Sequence, residues 1–160
     1  MRVTIAAASA LIAASSLSTQ PLAQTVAPTA LPDLSTAPQA AGTWVYSSAA
    51  DGTTATFFDA ASRPQLVIRC TRATRNVSIS KPASAAAPFL FVWTSSATRN
   101  VPASFDPATA RITAILGVTD TLLDAISFSR GRIGVGVSGS PALVVSFSPE
   151  PARVIEDCRV

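Results

Sequence analysis

Arg130 and Arg132 stand either side of one glycine in the run SFSRGR, and two guanidinium groups at that spacing, with exposed backbone amides between them, could clasp a carboxylate or a phosphate. The same two residues could instead pair internally with Asp124, Glu156 or Asp157 and hold a helix to a sheet, an ordinary use of arginine. A second basic group comes from a repeat, ATRNV, which occurs at Ala73 to Val77 and again at Ala97 to Val101. If both copies are turns on one edge, Arg75 and Arg99 could grip an anion together with Arg72; the plainer reading leaves all three solvated.

Patterns that would support catalysis break down on inspection. GVSGS, Gly136 to Ser140, has its second glycine one place too early for a nucleophile elbow, and the chain has no histidine to act as base. Ser78-Ile79-Ser80-Lys81 matches S-x-x-K, but that motif opens a helix in a much larger domain with two further motifs that are missing here. GRIGVG has the wrong glycine order for a dinucleotide loop and starts a strand. Asp120 and Asp124 bracket one turn of a possible helix, where an acid and base pair is conceivable and capping or solvation is the commoner fate. The sequence therefore predicts a non-enzymatic protein with no catalytic residue and no cofactor.

Cys70 and Cys158 are the only cysteines. Two thiolates without histidine cannot complete a tetrahedral metal site, and no C-x-x-C pair points to redox work. An even count suits one disulfide if the chain reaches an oxidising compartment. Closing a loop of about 90 residues would contribute about 4.6 kcal/mol in the chain-entropy account.

The amino terminus predicts that export. Arg2, a mostly apolar run from Ile5 to Leu17 and a polar stretch broken by Pro21 follow the three regions of a signal peptide, residues 1–24, cleaved near Ala23 or Gln24. The run is too short to span a bilayer, so no membrane span is expected in the mature form. Residues 25–41, rich in proline, alanine and threonine, read as a flexible leader, and one domain is expected over 42–160. A formal charge of +3 is too small an excess to argue for nucleic acid, which calls for a clustered basic face and stacking aromatics.

The elements that must position these residues are mostly strands. Leu66, Ile68 and Cys70 alternate with Gln65 and Arg69; FLFVW from Phe89 to Trp93 is apolar on both faces, as in a central strand; and TWVYSS and TTATFFD flank Asp51-Gly52, a hairpin-turn dipeptide. Ala125 to Phe147 reads as a three-stranded meander, with Ile126 and Phe128 on its first strand, Ile133, Val135 and Val137 on its second, and Leu143, Val145 and Phe147 on its third. Gly134 and Gly136 would face the other way and admit a close neighbour. A short helix follows, capped near Ser148, with Ala152, Ile155 and Cys158 on one face. Each ATRNV copy falls between two such strands and reads as a connection of the same kind. The fold class predicted is mainly β: a single antiparallel sandwich or partly open barrel with a short C-terminal helix and one disulfide.

The block LLDAISFSRGRIGVGV followed by PARVIEDCR resembles the C-terminal part of small exported bacterial proteins of unknown function, a likeness confined to the chain from Leu122 onward. More loosely, LVIRC, a β-rich middle and a closing cysteine resemble accessory proteins of type VI secretion. Both likenesses imply a β-rich, disulfide-linked envelope domain, periplasmic or secreted. The expected partner is another envelope protein or a cell-wall component, met through a sheet edge or the arginine-bearing turns. The alternative is a secreted inhibitor of a protease or lysozyme acting through an exposed loop such as Lys81 to Pro88. Nothing in the chain fixes an oligomeric state.

Overall fold

Alternation of apolar and polar residues decides the first half of the chain. β1 (Gly42–Ala49) and β2 (Gly52–Asp59) form a hairpin, β3 (Pro64–Thr71) pairs with β2, and β4 (Asn76–Pro82) pairs with β3. Leu66, Ile68 and Cys70 are buried as expected, with Val77 and Ile79 beside them on β4. The first turn is one residue earlier than the sequence suggests: Ala49 pairs with Gly52, so Ala50 and Asp51 make the turn and Gly52 opens β2. The glycine is required there by packing, because a Cβ would lie 1.9 Å from the Cys70 carbonyl oxygen.

The structure, a computed structural model, describes residues 33–138 and 140–160. The expected signal peptide and the leader as far as residue 32 lie outside the described residues. Beyond β4 the chain forms β5 (Phe89–Trp93), β6 (Thr98–Asp106), β7 (Arg111–Gly117), β8 (Arg132–Gly136) and β9 (Leu143–Ser146). All pairings are antiparallel, in the order β1-β2-β3-β4-β7-β6-β5-β8-β9. FLFVW is the inner strand its composition predicts, between β6 and β8. The two ends of the sheet approach each other: the Ala40 amide donates to the Val144 carbonyl (2.7 Å), and the Trp44 indole donates to the Ser146 carbonyl (3.0 Å). Of the two architectures expected, the nearly closed barrel is the one formed. Its inner face, α1 (Thr121–Ser127) and α2 (Pro149–Arg159) share one apolar core to which every strand contributes.

Two local expectations fail. Ile126 does not lie on a strand. Asp120 caps α1 by accepting from the Leu122 amide (2.8 Å), and helical spacing buries Leu122, Leu123 and Ile126. The apparent alternation of Ile126 and Phe128 was also compatible with a helix, and the cap decides it; Phe128 is left 76% exposed at the C-terminal end. The ATRNV copies are not the same device either. The first contains a true turn, in which Arg75, not the asparagine, takes positive φ (50°), whereas the second is strand from Thr98 onward, paired with Trp93, Val92, Phe91 and Leu90. What the copies share is an inward valine, Val77 or Val101. Five identical residues are too few to fix a conformation that cross-strand neighbours supply.

Residues 33–41 are tied to the domain rather than free of it. Leu34 is buried with Phe91 and Val144 on the outer side of the sheet, in a cluster separate from the main core. It fills the space left by Gly134, where a Cβ would lie 2.3 Å from Leu34 Cδ1. Gly136 is approached by Ala142 and by the Phe91 ring, so both glycines have the close neighbours expected of them. At the far end, Cys70 of β3 and Cys158 of α2 form the disulfide, with a Cα–Cα distance of 5.5 Å across a sequence separation of 88. It fixes the last turn of α2 to the sheet. No helix among the described residues is long and apolar enough to cross a membrane.

Candidate binding site

The SRGR run is at the junction of α1 and β8, not at a hairpin tip, and a hydroxyl network sets its backbone. Ser129 Oγ donates to the Arg132 carbonyl (2.7 Å) and accepts from the Ser95 amide (3.1 Å), while Ser95 Oγ accepts from the Arg130 amide (2.8 Å). Two serines from distant parts of the chain thus interlock the β5–β6 loop with the α1–β8 turn. Thr94 stiffens the first of these loops, since its hydroxyl accepts from the Ala97 amide (2.9 Å) and donates to the Ala97 carbonyl (3.0 Å). The Phe128 amide closes α1 on Asp124 (2.9 Å), and Gly131 supplies the positive φ (83°) that turns the chain into β8. Thr94 and Ser129 are buried, whereas Phe128 and Arg130 project from this fixed backbone into solvent.

The other arginines expected to bind are already engaged. Arg132 donates to the Ala37 carbonyl (2.7 Å), anchoring the leader, so it does not complete a fork with Arg130. Arg72 donates to the Ala49 and Ala50 carbonyls, Arg75 to the Arg159 carbonyl, and Arg99 to Asp120 (2.7 Å). Arg72 and Arg75 belong to the β3–β4 turn, while Arg99 lies on β6, so the repeat does not present its two arginines alike. The ion pair that holds helix to helix is made by Arg159, which reaches Asp124 (2.6 Å) and Glu156 (3.0 Å). Hydrogen bonding to Asp124 raises its pKa above the ordinary arginine value.

The residues weighed for catalysis are placed as follows. Asp120 and Asp124 are held by different arginines, and the Arg99 hydrogen bond keeps the Asp120 carboxyl below the usual carboxylate range. Ser78 and Lys81 are three apart on a strand and therefore face opposite sides of the sheet, which separates the two halves of the S-x-x-K pattern. Lys81 points inward, and its Nζ donates to the Pro82 carbonyl (3.0 Å). The loop that follows it exposes Pro82, Ser84, Ala85, Ala86 and Pro88.

Sequence reasoning singled out Arg130 and passed over its neighbours. Phe128 was hidden because an apolar residue reads as core, and the Ser95–Ser129 contact joins residues 34 positions apart with no local signal. No protein-family model matches the chain, and no curated protein or solved structure matches it either.

Proposed function

We propose that the chain is an exported, non-enzymatic envelope protein that binds another envelope protein, with Phe128 and Arg130 as its anchors. One observation carries the reading: a large aromatic side chain, 76% exposed, stands beside an exposed arginine on a loop whose backbone is already fixed by Ser95 and Ser129. Aromatic and arginine side chains dominate the energetics of protein interfaces, and a loop ordered before binding avoids most of the entropy cost of becoming so. The disulfide supports a periplasmic or secreted location, since such bonds persist where the surroundings are oxidising.

Capture from envelope extract tests this. Oxidised protein is immobilised as wild type, Phe128→Ser and Arg130→Ala, and thermal melts are recorded in parallel. The expected result is a partner retained by wild type and lost by both variants at unchanged melting temperature. Equal retention by all three would refute the assignment of the loop; a parallel fall in melting temperature would make these residues structural.

A further inference from the structure

The two edges of the sheet are guarded unequally. β9 is short, 4 residues, and the Ala40 amide already covers it at Val144. β1 has 8 residues, GTWVYSSA, none charged and none proline, and among the described residues no strand pairs with its outer side. Edge strands are ordinarily protected by charge, proline, a bulge, brevity or a covering helix or loop, and β1 has none of the first four. Its outward residues are Thr43, Ser47 and the half-exposed Val45.

The seam between β1 and β9 is closed at one end by Ala40 and Trp44. Beyond Trp44 the neighbour of β1 is α2, and a cleft of about 240 Å³ opens there, lined by Tyr46, Pro149, Glu150 and Arg153. Two carboxylates border it without pairing with Arg153: Asp157 accepts from the Tyr46 hydroxyl (2.8 Å), and Glu150, which lines the cleft, accepts from the Ser148 hydroxyl. The Arg153 guanidinium lies over the Tyr46 ring, 3.9 Å from its centroid, and among the described residues no carboxylate pairs with it.

We infer that this edge and cleft form a second interaction surface, beyond the Phe128 loop, which takes an extended acidic peptide from a partner protein as an added strand. Alternate residues of β1 direct their amide and carbonyl groups outward and would supply the main-chain ladder. The peptide's inward side chains would face α2, where a glutamate or aspartate meets Arg153 in a charge-assisted pair. A second copy of the chain is a poorer occupant, since its own β1 brings no carboxylate to the cleft.

The probe is a fluorescein-labelled ten-residue peptide of alternating valine and threonine with one central glutamate, compared with its glutamine counterpart. Both are titrated against the oxidised full chain by anisotropy, and amide hydrogen exchange is followed along β1. The glutamate peptide should bind about tenfold more tightly, slow exchange at alternate β1 amides, and bind Phe128→Ser as well as wild type. Arg153→Gln should erase the difference between peptides without changing the melting temperature. Equal affinity of the two peptides for wild type, absence of binding by either, protection confined to another strand, or a free protein already dimeric with β1 protected would each overturn the inference.

Discussion

Lys81 shares the inward face of β4 with Val77 and Ile79, and its ammonium group has a backbone carbonyl rather than a carboxylate for a partner. Burial, aided by the nearby charge of Arg111, lowers its pKa below the ordinary 10.5. A base whose folded pKa is depressed binds fewer protons when folded than when unfolded, so stability rises with pH from the folded pKa up to the unfolded value. Lys81→Met should therefore raise the melting temperature at pH 7 by about 2–5 °C and abolish the alkaline rise, as thermal melts below pH 10.5 will show. Asp120, by contrast, stabilises the fold at neutral pH, although its pH dependence has the same sign. Its pKa is depressed by Arg99 and by its capping bond, so its contribution is present above the usual 3.8 and is lost as pH falls through the folded value. Asp120→Ala should cost about 1–2 kcal/mol at neutral pH, with the gap from wild type narrowing in urea titrations repeated at progressively lower pH. At this scale the sequence was partly legible. It marked the basic turns and favoured capping for Asp120, but which carboxylate meets which arginine depends on contacts such as Arg99 to Asp120 that only the folded sheet brings about.

Among the elements, β3, β5, β8, β9 and α2 could be read from periodicity because each has one face, or both, in the core. α1 was legible only as a possible single turn between Asp120 and Asp124, since TLLDAIS is too short for a helical period to stand out. The leader escaped for a different reason: nothing in a stretch of small and polar residues announces that Leu34 will settle on a glycine far along the chain. That contact yields a clear expectation. Gly134→Ala places a methyl carbon 2.3 Å from Leu34 Cδ1 and should displace that side chain and loosen residues 33–41 while leaving β8 paired. Limited proteolysis should then cut this segment several times faster than in wild type, and Leu34→Ala alone should reproduce the effect. Unchanged cleavage in both would mean that Leu34 does not hold the segment down.

For the whole molecule, hairpins were legible and order was not. Turn chemistry announces neighbours such as β1 and β2, whereas the pairings β4 with β7 and β5 with β8 join strands that are not consecutive and depend on how the sheet curls around its core. α2 lies across that curl, and the disulfide joins it to β3. Replacing both Cys70 and Cys158 with serine should lower stability by about 3–5 kcal/mol in denaturant titration, with loss of signal from the Tyr46–Arg153 region preceding that from the sheet. A fall below about 1 kcal/mol would show that α2 docks chiefly through Val154 and Ile155.

The placement of the two sulfurs also sets an order of events during biosynthesis. Cys70 emerges early, and its only intramolecular mate follows 88 residues later, on the far side of every remaining strand. Scrambling within one chain is impossible with two thiols, so the hazard is intermolecular: while the first waits, a neighbouring nascent copy can capture it. Oxidative refolding of the reduced chain at high concentration should consequently accumulate covalent dimers, and dilution before oxidation should clear them.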